Sequence, residues 1–338
     1  MVIIRTDFSL KRFNTFGIDV KANRFADIFR ESDIIEIRKQ TASNEQILFL
    51  GSGSNILFTK NFNGVVIKNS IKGIEEKEFG EDEIIISAGG GTEWNDLVNY
   101  AASKNYWGIE NLALIPGTVG AAPIQNIGAY GAELKDVFHS LEGYNFDSGE
   151  KIVFTKDECE FKYRWSIFKG ELRNKFLIAK VNFVLNKKPS PNLTYGALRD
   201  ELNRVSNSEL TPLLISETVS KIRRNKLPDP AKNGNAGSFF KNPKVKNEKF
   251  AELQNQFHNI PKFESEQDGV KIPAAWLIEK CGFKGKRIGN VGTHKNQPLV
   301  IINFGETSGR RIQEFSVLVQ KAVYEKFNIL LDHEVNIY

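Results

Sequence analysis

Two glycine-rich segments have the residue types that bind a pyrophosphate or a planar ring system. Residues 51–55 read Gly-Ser-Gly-Ser-Asn, and residues 111–131 contain glycine turns at 116–120 and 126–131 within a mostly apolar stretch. Glycine lets backbone amides approach a ligand without an intervening side chain. Without a ligand, the first segment is explained as a structural turn and the second as a buried Ω-loop that satisfies its own backbone. The residues alone leave both interpretations open.

Several common active-site motifs are absent from the sequence. It contains no G-x-x-x-x-G-K-[ST] phosphate loop and no G-x-S-x-G nucleophile elbow. Residues 51–53 begin like a dinucleotide fingerprint, but Ile56 stands where the third glycine would allow close packing of strand and helix. The classical Rossmann fingerprint is therefore excluded.

The metal-binding residue types are sparse. The four histidines (His139, His258, His294 and His333) lack the spacing of metal ligands, and neither Cys159 nor Cys281 lies in a C-x-x-C motif. We therefore expect no bound metal. Two distant cysteines cannot form a disulfide framework, which favours a reducing cytoplasm.

The hydrophobic patterns predict a mixed α and β chain without internal repeats. Strands are predicted at residues 47–50, 65–67, 84–86, 176–185 and 299–304, followed by a strand-like tail. Helices are predicted after a Thr92 cap, over residues 216–224, from Pro273 to Gly282, and over residues 312–323. The apolar faces comprise Trp94, Leu97, Val98 and Ala101 in the first helix, and Ile312, Phe315, Leu318, Val319, Ala322 and Val323 in the last. Residues 111–131 contain too many glycines and prolines for a long helix and are too apolar for an exposed linker, so we expect a buried or ligand-covered loop system.

Length and composition indicate a folded chain of two or more domains. The 338 residues are 41% hydrophobic and 26% charged, which excludes disorder of the whole chain. The net charge of +5 comes without a dense basic block, so it favours anionic small ligands over a nucleic-acid platform. The sequence has no apolar run near the ~18 residues that span a bilayer, so we expect an unexported protein without a membrane partner.

Four longer motifs carry a resemblance to a known family. They are Asn14-Thr15-Phe16-Gly17, the stretch 50–55, the stretch 115–131 (IPGTVGAAPIQNIGAYG), and the stretch 234–243 (GNAGSFFKNP). In this order they resemble the bacterial UDP-N-acetylenolpyruvoylglucosamine reductases, and the resemblance extends over nearly the whole chain. The resemblance implies an FAD enzyme of peptidoglycan precursor synthesis that uses NADPH, also called UDP-N-acetylmuramate dehydrogenase.

The resemblance implies an α+β fold with a two-subdomain FAD-binding part of the vanillyl-alcohol-oxidase type and a C-terminal α+β substrate-binding domain. We place the subdomains at residues 1–66 and 67–208, the substrate domain at 209–326, and a return segment at 327–338. We expect a cytoplasmic monomer with UDP-N-acetylglucosamine enolpyruvate as substrate.

The same resemblance assigns the glycine segments to FAD, held non-covalently because no cysteine or histidine in them is placed for flavin attachment. It implies that their backbone amides are unpaired within the protein and bind the cofactor. The implied FAD-binding residues are Gly51, Ser52, Gly53, Ser54, Asn55, Pro116, Gly117, Thr118, Gly120, Asn126, Gly128, Ala129, Tyr130 and Gly131.

Three residues match the family's catalytic motifs. The resemblance implies that Ser238 donates a proton, that Arg164 stabilises the negative charge that develops on the substrate carboxylate, and that Glu334 orients the intermediate or relays protons. Taken alone, each residue type is explained by a turn, a surface charge or a solvated carboxylate.

Four further residues match positions near the sugar nucleotide. Tyr195 resembles the mobile tyrosine of the loop-bearing form of the enzyme, while Lys226, Asn242 and Lys284 are expected near the UDP-sugar. The chain ends soon after Glu334, at Tyr338, which leaves little chain to hold that glutamate.

Two other functions remain as alternatives. One is a different FAD-dependent oxidoreductase, such as an oxidase of alcohols or sugars, against which the expected proton donor Ser238 argues. The other is a nucleotide-binding or RNA-binding module without catalysis, which predicts a colourless protein.

Overall fold

The computed structural model describes residues 2–263 and 269–338. The strands in those ranges are β1 (Ile4–Ser9), β2 (Lys21–Ile28), β3 (Gln46–Leu50), β4 (Ile56–Leu57), β5 (Phe62–Asn69), β6 (Ile74–Phe79), β7 (Glu83–Gly89), β8 (Gly128–Ala129), β9 (Ala132–Glu133), β10 (Phe138–Asn145), β11 (Lys151–Thr155), β12 (Phe176–Asn186), β13 (Lys244–Val245), β14 (Val270–Lys271), β15 (Arg287–Ile288), β16 (Val291–Thr293), β17 (Ile301–Asn303) and β18 (Asn336–Ile337). The helices are α1 (Glu31–Lys39), α2 (Trp94–Ser103), α3 (Gly196–Glu201), α4 (Pro212–Lys226), α5 (Asn247–Gln256), α6 (Ala274–Lys280) and α7 (Gly309–Phe327).

The chain divides into two compact units. The first unit contains the segment that ends at Phe8 together with Ala22–Gly53 and Phe62–Asn225. The second unit contains Ser9–Lys21, Ser54–Asn61 and Lys226–Tyr338. Each unit is thus assembled from separate stretches of sequence.

The first unit contains a four-stranded sheet in the order β1-β2-β5-β3. Strands β2 and β3 both run parallel to β5, and Val65, Val66 and Ile67 of β5 are fully buried. Such a continuous apolar run is typical of a parallel strand covered on both faces. Helix α1 buries Ile34 and Ile37 in the same core.

A five-stranded antiparallel sheet in the order β11-β10-β12-β7-β6 completes the first unit. The predicted apolar face of α2 is confirmed, since Trp94, Leu97, Val98 and Ala101 are buried in the core of this sheet. The predicted Thr92 cap is wrong, because the helix is preceded by Glu93 and the Thr92 hydroxyl donates instead to the Gly73 carbonyl at 3.3 Å.

The second unit combines short sheets with three helices. Strands β15, β16 and β17 form an antiparallel sheet, β13 pairs with β14, and β18 runs parallel to β4. Helix α6 begins after Pro273 and ends before Gly282, which has a φ of +75°, as predicted. The rings of Phe257, Trp276 and Phe327 pack together with centroids 5.1–5.7 Å apart.

The last helix is longer than predicted, and one predicted core residue is wrong. Ile312, Phe315, Val319 and Val323 of α7 are buried, whereas Leu318 is 46% exposed. At about 100° per residue, Leu318 lies well to one side of the stripe that Ile312, Phe315, Val319 and Val323 form along the helix.

The expected α+β class is confirmed, while the four-part division of the chain stays a prediction. The predicted boundary at residue 66 falls inside β5, and the first unit extends to Asn225 rather than ending at residue 208. Met1 of the predicted first subdomain and residues 264–268 of the predicted substrate domain lie outside the described residues. Across 2–263 and 269–338, no helix is both long enough and apolar enough to cross a membrane.

Candidate active site

Three glycine-rich segments of the first unit converge at the end of β3. A Cβ on Gly51 would lie 2.6 Å from the Thr118 hydroxyl oxygen, and a Cβ on Gly120 would lie 3.0 Å from Gly90. Hydrogen bonds join the same segments, since Trp94 N–H donates to the Gly117 carbonyl at 2.9 Å. Gly51 packs on the Thr118 side chain and Gly120 on the Gly90 backbone, so the close approach of these segments requires glycine at both positions.

Many amides of the 116–131 stretch are paired within the protein. Backbone N–H groups of the following residues donate to backbone carbonyls at 2.8–3.2 Å: Val119, Gly120, Ala121, Ala122, Asn126 and Ile127. The expectation that amides of this stretch are unpaired is therefore wrong at these positions. The stretch contains two 3-10 turns, and its amides donate partly to its own carbonyls and partly to those of Gly90 and Thr92.

Arg164 is held by a tight turn against the second glycine turn. Lys162 and Trp165 exchange two backbone hydrogen bonds of 3.1 Å, which places Arg164 at the tip of the turn. One Arg164 Nη donates to the Gly128 carbonyl at 2.8 Å, and the Ser166 hydroxyl donates to the Ile124 carbonyl at 2.7 Å. The guanidinium is thus fixed beside residues that the sequence assigns to the cofactor.

A second arginine lies beside Arg164. Arg223, on α4, is half-buried, but its Nε atom is fully buried and has no hydrogen-bond partner among the described residues. Burial lowers the pKa of Arg223, the nearby Tyr130 opposes this shift, and the positive charge of Arg164 lowers the pKa further. A buried guanidinium beside another cation costs free energy unless an anion binds it. An anionic group bound near both arginines would offset this cost.

Three of the sequence-predicted site residues have left-handed backbone conformations. Asn126, Tyr130 and Arg164 have φ values of 44°, 51° and 53°. Non-glycine residues in this region cost about 1–2 kcal/mol each, and such conformations cluster at functional sites. Here they lie in adjoining turns, because the Asn126 amide donates to the Lys162 carbonyl at 3.4 Å.

The loop that carries Tyr195 packs on the Tyr130 turn. The two tyrosine rings meet edge to face with centroids 4.9 Å apart. The Asn111 amide donates to the carbonyls of both Tyr130 and Asn192, at 2.7 and 2.8 Å. Burial is the main cause that raises the pKa of Tyr130. The structure therefore brings Tyr195, Tyr130, Arg164 and Arg223 into one cluster of the first unit.

Ser238 and Glu334 lie together in the second unit. Ser238 pairs with Val300 in antiparallel fashion, and the next residue, Phe239, accepts a hydrogen bond from the Glu334 N–H at 2.9 Å. The Asn55 amide donates to the Glu334 carbonyl at 3.3 Å. The backbone of Glu334 is thus held on both sides, although the chain ends only four residues later.

The end of the chain is itself anchored. The Tyr338 N–H donates to the Leu57 carbonyl at 2.9 Å, and the Tyr338 carbonyl accepts from the N–H and the hydroxyl of Thr59, both at 2.7 Å. These bonds tie the segment that follows Glu334 to β4 and to Thr59.

The remaining predicted substrate residues belong to the second unit, and each one either interacts with another protein group or is exposed to solvent. The Asn242 side-chain oxygen accepts the Ala274 N–H at 2.9 Å and so caps α6. Lys284 forms an exposed ion pair of 2.8 Å with Glu279, and Lys226 is exposed at the end of α4. Their roles toward a substrate stay predictions.

Models of two protein families match this chain. A model described as an FAD binding domain matches residues 30–154, and one described as the C-terminal domain of UDP-N-acetylenolpyruvoylglucosamine reductase matches residues 229–338. The protein named UDP-N-acetylenolpyruvoylglucosamine reductase from Flavobacterium johnsoniae is 43% identical over 335 residues, covering 99% of each chain. The chain belongs to this reductase family. A reductase of the same name from Porphyromonas gingivalis is 42% identical over 98% of each chain.

A crystal structure extends the likeness to the fold. The UDP-N-acetylenolpyruvylglucosamine reductase from Thermus caldophilus superimposes with a TM-score of 0.66 at 21% identity, covering 100% of this chain and 99% of that one. The glycine segments around Gly51, Gly90 and Gly120 fit the FAD of the reductase family, since they lie within the matched FAD binding domain and approach so closely that a Cβ would collide with the neighbouring segment. Because the Gly120 N–H already donates to the Gly90 carbonyl, any contact of Gly120 with FAD uses its other atoms.

Arg223 is the site residue that the sequence interpretation missed. Its helix was expected, but an arginine beside the exposed Arg224 has no local signal of burial. Only the packing of α4 against the Tyr130 and Arg164 turns distinguishes the two arginines.

Proposed function

We propose that this protein reduces UDP-N-acetylglucosamine enolpyruvate to UDP-N-acetylmuramate, with NADPH as reductant and non-covalent FAD as cofactor, in peptidoglycan precursor synthesis. The observation that carries the proposal is the paired cationic site of Arg164 and Arg223 in a unit whose glycine segments fit FAD. The substrate has a carboxylate and a diphosphate, which are the kinds of anion that such a site requires.

The glycine segments around Gly51, Gly90 and Gly120 would hold FAD, which would supply hydride transfer from NADPH to the enolpyruvyl group. The protein must then stabilise the negative charge that grows on the substrate carboxylate. The Arg164 guanidinium is suited to this task because the Gly128 carbonyl and a rigid turn fix its position before any substrate binds. Fixed donors stabilise developing charge without reorganisation during the reaction.

We assign the proton to Ser238 and the orientation of the intermediate to Glu334. A serine hydroxyl is a weak acid, so proton delivery requires close placement at the receiving carbon. The backbone hydrogen bond between Phe239 and Glu334 supports this assignment, since it holds the segment that carries Ser238 next to the segment that carries Glu334. Ser238 is half-buried next to the fully buried Phe239.

We further propose that Tyr195, Lys226, Asn242 and Lys284 bind the UDP-sugar, and that the enzyme acts in the cytoplasm as a monomer. Cys159 and Cys281 are both free thiols, which suits a reducing compartment. The edge-to-face contact of Tyr195 with Tyr130 supports a role for its loop at the anion site.

An absorbance titration tests the proposal. The purified protein should be yellow, or become yellow with FAD, should bleach with NADPH under anaerobic conditions, and should recover its colour when UDP-N-acetylglucosamine enolpyruvate is added. Recovery with molecular oxygen but not with the enolpyruvyl substrate would instead identify an oxidase. A protein that stays colourless with FAD would support a binding module without catalysis.

A further inference from the structure

The segment that carries Ser238 and the tail that carries Glu334 form a short antiparallel ladder. Phe240 pairs with His333, and the Lys241 N–H donates to the Asp332 carbonyl at 2.9 Å. Together with the bond from Glu334 to Phe239, these contacts set the register of the two segments. A shift of the tail in this ladder therefore changes the distance between Ser238 and Glu334.

His333 lies between the ladder and helix α7. Its ring centroid is 5.4 Å from that of Phe239, at 90°, and 5.4 Å from that of Phe240, at 31°. Both phenylalanines are fully buried, as is Ser316 of α7. The imidazole thus contacts the residues that immediately follow Ser238.

The hydrogen bonds of Ser316 indicate the tautomer of His333. The Ser316 hydroxyl donates to the Gln313 carbonyl at 2.7 Å, so its lone pair accepts from His333 Nε2 at 3.3 Å. His333 therefore carries its proton on Nε2. Burial lowers the pKa of His333, opposed by Asp332 on its own segment, so the ring is neutral near pH 7.

We propose that His333 is a positioning residue, whose Nε2–H bond to Ser316 and contacts with Phe239 and Phe240 hold Glu334 in register with Ser238. The inference rests on the proposed reduction of the enolpyruvyl substrate. Proton delivery depends steeply on geometry, and a displacement of about 1 Å costs on the order of 100-fold in rate. His333 acts through the ladder and has no assigned contact with substrate.

Three variants isolate the contribution of the imidazole. His333→Phe keeps an aromatic ring but removes the donor, and Ser316→Ala removes the acceptor while leaving His333 in place. His333→Gln restores an N–H donor without the ring. The matched control is Gln320→Leu, because the Gln320 amide donates to the Leu331 carbonyl at 2.7 Å and tethers the same tail to the same helix.

Stopped-flow rates of the two half-reactions and steady-state kinetics measure the effect on the FAD-loaded protein. We expect His333→Phe and Ser316→Ala to slow flavin reoxidation by the enolpyruvyl substrate about tenfold or more. Flavin reduction by NADPH and the KM for the UDP-sugar should stay within about twofold, and His333→Gln should recover part of the rate. Unchanged reoxidation, an equal loss in both half-reactions, or the same loss in Gln320→Leu would overturn the proposal.

Hydrogen exchange supplies a readout that does not need turnover. The Glu334 amide should exchange faster in His333→Phe and Ser316→Ala than in the wild type and in Gln320→Leu. If the wild-type flavin is reduced by NADPH but never reoxidised by the UDP-sugar, the proposed function fails and the exchange rates still decide the role of His333. Equal protection of the Glu334 amide in all variants would refute that role.

Discussion

Replacing Arg223 by methionine should change stability and substrate affinity in opposite directions. Arg223 is half-buried near the positive charge of Arg164, and its buried Nε lacks a hydrogen-bond partner among the described residues. Methionine fills similar space without charge, and replacing costly buried charges by apolar side chains stabilises proteins by about 1–4 kcal/mol. Each kcal/mol raises the melting temperature by about 2–4 °C in a domain of ~200 residues.

The affinity of Arg223→Met for the anionic substrate should fall, whereas its stability rises. A hydrogen bond to a charged group contributes about 1.5–3 kcal/mol, so losing one weakens the binding of the anionic substrate by about 10- to 150-fold. Thermal unfolding without ligand and isothermal titration of the oxidised holoenzyme with UDP-N-acetylglucosamine enolpyruvate measure the two quantities. The matched control is Arg224→Met, because Arg224 follows on the same helix and is exposed. It should change stability by less than about 0.5 kcal/mol.

The reasoning is refuted if Arg223→Met lowers the melting temperature and leaves the dissociation constant unchanged. That result would assign the guanidinium a structural role. Loss of both stability and affinity would mean that Arg223 supports the Tyr130 and Arg164 turns rather than binding the anion itself.

Further predictions concern the proton donor, a glycine turn and the pH dependence of stability. Ser238→Ala should leave flavin reduction by NADPH intact and slow reoxidation by the enolpyruvyl substrate by about 10²–10⁴-fold, whereas equal loss in both half-reactions would contradict its role. Gly131→Ala should destabilise the protein by at least about 1–2 kcal/mol in urea denaturation, since Gly131 has a φ of +85° and a Cβ there would lie 2.3 Å from the Thr194 hydroxyl oxygen. Gly196→Ala is its control, because a Cβ at Gly196 meets no atom within 4 Å. Burial lowers the pKa of His333 in the native protein below the value of 6.5 expected in the unfolded chain. Between these two pKa values the unfolded chain binds more protons than the native protein. The contribution of the neutral imidazole to the free energy of unfolding is therefore complete above pH 6.5 and declines as the pH falls. His333→Phe should flatten the unfolding free energy across that interval, and an unchanged slope would argue against burial of the imidazole.

Local patterns predicted the elements whose signals are contained within a few residues. The strands at β3, β5, β7 and β12, and the apolar face of α2, follow from runs and periodicities that require no knowledge of distant residues. The motif resemblance also identified the family correctly, while its assignment of individual residues to the cofactor stays a prediction. Short or half-exposed elements such as α1 were missed, because their weaker periodicity is completed only by packing against the sheet.

The sequence by itself determined which chemical groups are present: glycines that let backbones meet, a serine and a glutamate in recognisable motifs, and an arginine in a tight turn. Tertiary structure decided which of those groups are engaged. The amides of Gly120 and Asn126 pair within the protein, and the Nε of Arg223 is buried whereas Arg224 is exposed. The physical reason is that burial and hydrogen-bond partners come from residues distant in sequence, and a free energy of desolvation depends on all of them at once.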